Sequence, residues 1–223
     1  MTELDSQLAK DPQALCRAWE ATSDELIVVR VVHGETALFE VLMRRNNQRL
    51  FRAARAIVKD DDEAEDVMQE AYVQAYAKLA QFEGRARFST WLTRIAVHEA
   101  LARVRKRRPA VDHEAETVQS ELPSPEDLAA NQEVVRVLEP MVDALPDAFR
   151  AVFVLRAVEG MSAVESAECL GIPEETVRTR FFRARQILQH QLEKQLTESL
   201  PAVYEFHLSR CDRVVAAVFA RIG

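Results

Sequence analysis

Apolar residues recur at spacings of three and four along most of this chain, the period of a helix that buries one face. Asp24 to Val32 carries such a stripe and stops at His33-Gly34. Thr36 to Val58 continues it through Leu38, Val41, Leu42, Leu50, Ala54, Ile57 and Val58, with no internal Gly or Pro. Asp62 to Phe82 repeats it through Ala64, Val67, Met68, Ala71, Tyr72, Ala75 and Leu79, with Gly84 as the stop. Ser89 or Thr90 is positioned to cap a further helix through Trp91, Leu92, Ile95, Ala96, Leu101 and Val104, which Pro109 closes. These elements predict a helical domain over residues 24–109, after an extension at 1–23. A linker at 110–125 follows. A second helical domain spans 126–195, built from Glu126 to Leu145 (with a kink or break expected at Pro140), a helix from Pro146, then Ser162 to Leu170 and Glu174 to about Leu192. The expected fold is all-α: two helical domains joined by a flexible linker, the second a four-helix domain with a helix-turn-helix. The extension at 196–223 carries an apolar stripe of Val214, Val215, Val218, Phe219 and Ile222 and is expected to be helical.

Composition supports this and narrows the setting. Five glycines among 223 residues, with abundant Ala, Leu, Val, Arg and Glu, favour helix over sheet. No apolar run reaches the roughly 20 residues that cross a bilayer, and Met1 to Asp11 lacks a signal peptide's basic start and apolar core, so the expectation is a cytoplasmic chain without membrane insertion. Cys16, Cys169 and Cys211 are far apart, odd in number and form no CxxC pair, which argues against a disulfide framework and excludes a finger-type zinc site. The net charge of -7 hides a segregated distribution. Asp60, Asp61, Asp62, Glu63, Glu65, Asp66 and Glu70 form an acidic block. Arg85, Arg87, Arg94, Arg103, Arg105, Lys106, Arg107 and Arg108 form a basic one, with Glu99 its only acid. A second acidic stretch with Pro123 and Pro125 precedes another basic cluster at Arg178, Arg180, Arg183 and Arg185. Two basic patches around an acidic, Pro-containing stretch suggest two binding modules and a linker.

The segment from Ser162 to Arg178 has the anatomy of a helix-turn-helix. Ala167 is small where two helices approach, Gly171 suits a turn needing positive φ, Ile172 plugs the core, Pro173 starts a fresh helix and Val177 faces inward. The second helix then exposes Arg178, Thr179, Phe182 and Arg183, suited to phosphates and guanine edges in a major groove; the plainer reading is a solvated basic face. Upstream, Phe82 to Ala96 interleaves aromatic and basic residues, a mixture that meets phosphates with cations and unpaired bases with rings. Phe88, Trp91 and Leu92 equally fit a helix-packing face. In the acidic block, Asp60 to Glu63 suit the positive end of a helix dipole, whereas Asp66 and Glu70 lie further along.

Three other classes are weaker. A metallohydrolase prompted by His98-Glu99 needs a second His where Ala102 stands. His207 and Cys211 share helical spacing, but two ligands do not make a metal site, so neither metal nor cofactor is expected. An ordinary activator or repressor needs a sensor domain, and none is evident.

The run Glu65 to Tyr72, then Phe82-Glu83-Gly84 and Phe88 to Ala96, resembles region 2 of extracytoplasmic-function σ factors. Leu145-Pro146, Phe149-Arg150 and the helix Thr176 to Arg185 resemble region 4 of the same family. The resemblance runs from about Asp24 to Leu192; minimal family members end before the C-terminal extension. It implies a non-enzymatic promoter-selectivity subunit of RNA polymerase. Its first domain would dock through Asp66, Gln69 and Glu70 on the clamp helices of the largest core subunit. The same domain would read and open the -10 element with Arg85, Arg87, Trp91, Arg94, His98 and Arg103. The second would read the -35 element with Arg178, Thr179, Phe182 and Arg183, and the linker would thread toward the active-centre channel. An anti-σ protein is a further implied partner. The family often has Asn at the position of His98, so this chain departs where a flipped -10 base is held.

Overall fold

A computed structural model of the chain describes residues 12–107 and 130–199. Pro109, the linker and residues 200–223 of the C-terminal extension, with His207, Cys211 and the apolar stripe, lie outside the described residues, while residues 196–199 continue the last described helix. The chain divides into two units, Met1–Arg185 and Gln186–Gly223. Among the described residues every regular element is helical.

The first unit opens with α1 (Pro12–Ala18), a short helix that sequence periodicity did not disclose; it buries Leu15, and Arg30 lies over the Trp19 ring at 4.7 Å. Then come α2 (Asp24–Val32), a 3₁₀ turn at Thr36–Leu38, α3 (Phe39–Val58), α4 (Asp61–Ala77), a 3₁₀ turn at Leu79–Gln81 and α5 (Phe88–Arg107). Local chemistry sets these boundaries. The Ser23 side chain accepts from the Leu26 amide at 3.4 Å and that of Asp60 from the Glu63 amide at 2.8 Å, each satisfying an amide with no partner inside its helix. Acids Asp61 to Glu63 fill the first turn of α4, as the helix dipole favours. α5 begins at Phe88, not behind a Ser89 or Thr90 cap: the Phe88 amide donates to the carboxylate of Glu25 on α2, 3.2 Å away. That cap comes from a residue 63 positions upstream.

α3, α4 and α5 pack on one another. Val41, Leu42 and Leu50 of α3, Val67 of α4, and Leu92 and Val97 of α5 are wholly buried, and each fully buried aliphatic side chain contributes about 1.5–3 kcal/mol. Ala54, Ala64, Ala71, Ala75, Ala96 and Ala100 are also fully buried, small residues that bring the helix backbones close.

The second helical set comprises α6 (Ala130–Asp143), α7 (Asp147–Phe153), a π turn (Val154–Val158), α8 (Ala163–Leu170) and α9 (Glu174–Ser199). α6 runs unbroken through Pro140; only three residues follow before the helix ends, and the Pro140 carbonyl accepts from the Ala144 amide at 3.0 Å. Ser162 and Glu165 close a reciprocal capping box at the start of α8. Gly171 ends α8 at φ +65, and Val177, fully buried, anchors α9. Nothing lies within 4 Å of the position a Gly171 Cβ would take, so only the backbone resists substitution. Gly171→Val is therefore expected to cost about 1–2 kcal/mol, the left-handed penalty, in urea unfolding; a loss above that would mean a hidden clash. α9 carries on into the second unit, whose described part is residues 186–199.

Within the first unit the two helical sets are packed together, α7 on α3 and α8 on α5. Arg150 of α7 is wholly buried and donates to the carbonyl of Ala56 near the end of α3, at 2.7 Å. Arg55 pairs with Asp143 at 3.0 Å and Lys59 with Asp147 at 3.1 Å. The π turn places Glu159, 8% exposed, 3.4 Å from Arg49 and 3.7 Å from Arg52. Burial pushes the Glu159 carboxyl up against the opposing pull of those arginines. Ala151, Leu155, Met161 and Cys169 join the same apolar cluster as Leu50, Leu92 and Val97. This seam is the main feature that helical periodicity did not anticipate.

Candidate nucleic-acid interfaces and an apolar groove

Three surfaces stand out, and each gathers residues singled out by the sequence. On α9, Arg178, Thr179, Phe182 and Arg183 are all exposed, and Glu175 precedes them on the same face at helical spacing. Phe182 is 62% exposed. Arg178 reaches back one turn to Glu174 at 2.6 Å, and that carboxylate holds its guanidinium above the ordinary value. Phe181, on the inner side, stacks on Phe153 with centroids 6.3 Å apart. The helix-turn-helix therefore has a packed inner face and a cationic outer face with one exposed ring.

The second surface belongs to α5. Arg85 and Arg87 are exposed ahead of the helix, Arg85 paired with Glu83. Trp91 is half-buried against Phe82 and Phe88, with centroids 5.5 and 5.7 Å away, so its ring serves packing. Arg94 faces α8 and pairs with Glu168 at 3.2 Å. The His98 imidazole lies against the backbone of Glu168 and Cys169 at the end of α8; burial and the neighbouring Arg94 hold it below its ordinary value. Arg103 donates to Glu99 at 3.1 Å and to Asp66 at 3.4 Å. Asp66 and Arg103, expected on separate surfaces, are thus partners.

The third surface is an open groove of about 850 Å³ between α3 and α4. Phe39, Met43 and Phe51 line one wall; Met68, Tyr72, Val73 and Tyr76 line the other. Val73 is 65% exposed and Tyr76 44%. The Tyr72 hydroxyl sits between the Met43 carbonyl at 2.9 Å and Asn47 Oδ1 at 2.8 Å, which fixes the ring, and burial pushes its phenol up. Gln69 and Glu65 sit at the rim. Of the predicted contacts Asp66, Gln69 and Glu70, only Gln69 lines the groove; Glu70 is exposed and accepts from Gln74 at 3.1 Å. The wall from α3 carries no signal in the recognised motif, whereas the wall from α4 does. α4 is apolar over too wide an arc for one core: Ala64, Val67, Ala71 and Ala75 face inward, leaving Met68, Val73 and Tyr76 over.

Comparison with known proteins agrees with this layout. The chain matches the family model Sigma-70 region 2 over residues 42–110 and Sigma-70, region 4 over 136–188. It is 33% identical over 185 residues to the ECF RNA polymerase sigma-E factor of Escherichia coli K12, spanning 78% of this chain and 96% of that protein. It is 31% identical over 176 residues to the ECF RNA polymerase sigma factor SigW of Bacillus subtilis, spanning 74% of this chain and 94% of that protein. Among solved structures it resembles CnrH in complex with the cytosolic domain of CnrY at 29% identity and TM-score 0.54, over 77% of this chain and 97% of that one. It shares its fold with the sigma factor RpoE, solved with the anti-sigma factor NepR from Bartonella quintana, at 24% identity and TM-score 0.53, over 70% of this chain and 96% of that one.

Proposed function

Because the chain belongs to the extracytoplasmic-function σ factors of the σ70 family, we propose that its three surfaces divide the work of promoter-specific initiation among them. The protein is a σ factor and not an enzyme: it binds core RNA polymerase, reads the -35 element with its helix-turn-helix and opens the -10 element with region 2.

The outer face of α9 enters the major groove at -35. The stripe Arg178, Thr179, Phe182 and Arg183 carries this assignment. Arginines present a fork that matches guanine O6 and N7, and the exposed Phe182 ring suits a thymine methyl. Arg178→Ala and Arg183→Ala are each expected to weaken -35 recognition by about 1–3 kcal/mol, read as promoter-specific transcripts made with core polymerase. Unchanged selectivity in both would remove them from that role.

The apolar groove between α3 and α4 receives an element of the core polymerase, in the manner of a helix laid in a hydrophobic groove. Gln69 stands at the rim of this contact, and Asp66 and Glu70 flank it. Arg85, Arg87, Arg94 and Arg103 hold phosphates of the -10 strand, whose bases leave the stack at a cost of a few kcal/mol each. His98 lies beside that path, and Trp91 buttresses the helix from behind. The setting is the cytoplasm, where the polymerase works; none of the described helices is long and apolar enough to cross a membrane. Regulation by an anti-σ protein is part of the same reading.

A further inference from the structure

The seam between α5 and α8 sets two carboxylates against the -10 surface. Thr90 donates to Glu165 at 3.1 Å, and Arg94 donates to Glu168 at 3.2 Å. Glu165 and Glu168 lie three apart on α8, and Thr90 and Arg94 four apart on α5, so successive turns meet in register. Arg87 adds its field to Glu165, and both line a polar cleft of about 300 Å³ at the seam. The capping box clamps Glu165, whose carboxylate accepts from the Ser162 amide at 2.8 Å. That bond to Ser162, more than any neighbouring charge, holds its carboxyl below the usual range, so it stays ionised.

A nucleic acid strand offers α5 anionic oxygens at successive positions, for cations and hydroxyls to hold. α8 offers the same chemistry to the same side chains. We propose that Glu165 and Glu168 act as an intramolecular mimic of backbone phosphates, occupying Thr90 and Arg94 so that the helix-turn-helix and the -10 strand compete for one face of α5. The proposal rests on the reading of α5 as a strand-binding surface. Affinity for DNA then scales with the fraction of chains in which α8 has left α5, and each carboxylate lowers that fraction. The apolar and Arg150 contacts elsewhere in the seam set the packing, and the two acids add the competition for phosphate sites.

The test is binding of the full chain, without polymerase, to a fluorescein-labelled single strand of mixed sequence about 15 nucleotides long, followed by anisotropy. Gln preserves the capping box, so Glu165→Gln with Glu168→Gln keeps α8 folded while removing both charges. Glu168→Gln alone, at an exposed position, supplies a milder arm. Affinity is expected to rise by about two- to fivefold per carboxylate removed. The same charge change at exposed Glu20 and Asp62 (Glu20→Gln with Asp62→Asn) is expected to leave it nearly unchanged. An equal rise in that control would mean a general charge effect and overturn the mimic. Arg85→Ala with Arg87→Ala separates the two ideas. If it weakens binding while the glutamines change nothing, α5 binds the strand but the mimic fails. If it does not weaken binding, the strand-binding reading of α5 fails and the mimic falls with it.

Discussion

Replacing Arg150 with alanine is expected to cost about 3–5 kcal/mol in urea unfolding, a large part of the roughly 5–15 kcal/mol that keeps an ordinary domain folded. The side chain is 0% exposed. Its Nε donates to the Ala56 carbonyl at 2.7 Å, Nη1 to Leu145 at 3.0 Å, and Nη2 to the Asp147 carboxylate at 3.1 Å. Ala56 lies in the last turn of α3, where carbonyls have no partner inside the helix, and the cation also faces the negative end of that helix dipole. Alanine removes the guanidinium, strands two carbonyls away from water and leaves a hole. Methionine would fill the volume but leave the same carbonyls unsatisfied, so Arg150→Met should recover only the packing part. A loss below about 1 kcal/mol for alanine would show that water replaces the guanidinium and that the seam is wetter than its burial implies.

The second large effect concerns the groove between α3 and α4. Met68→Asp is expected to weaken core polymerase binding by about 2 kcal/mol or more, roughly thirtyfold, because it sets a charge in the middle of an apolar contact. Titration of labelled protein with core polymerase reads this directly. Met68 is partly buried, so Val73→Asp serves as a companion: its side chain is 65% exposed and the fold has no stake in it. If both variants keep their melting curves and bind core as tightly as the parent, the groove is not the docking site.

Most helices were legible because α2, α3 and α4 each bury a stripe at helical spacing and are bounded by features written locally in the chain, the Ser23 and Asp60 caps and the left-handed Lys59. The turn of the helix-turn-helix was legible for the same reason, since Gly171 and the Ser162-Glu165 box act within four residues. What stayed hidden is long-range and polar. Glu25 capping Phe88, Arg150 reaching Ala56, and Thr90 meeting Glu165 each join residues more than 60 positions apart. Such pairs carry no period, and Glu165 and Glu168 read as ordinary solvated acids until α5 is set beside them. Charge segregation along the chain suggested separate binding surfaces, but could not show that Asp66 and Arg103 would neutralise each other. The groove was half visible: Gln69 sits on the recognised motif, whereas Phe39, Met43 and Phe51 come from the preceding helix.

Cys169 lies in the apolar cluster at the seam, 1% exposed, its thiol pushed up to about 12 by burial. A thiol in that state hardly ionises at neutral pH, and the thiolate is the form that alkylating reagents attack. Its modification rate therefore keeps time on how often α8 parts from α5. A slow, mass-resolved alkylation at Cys169 measures the opening equilibrium in the unaltered protein, and acceleration on adding core polymerase would register the separation of the two helical sets as it happens.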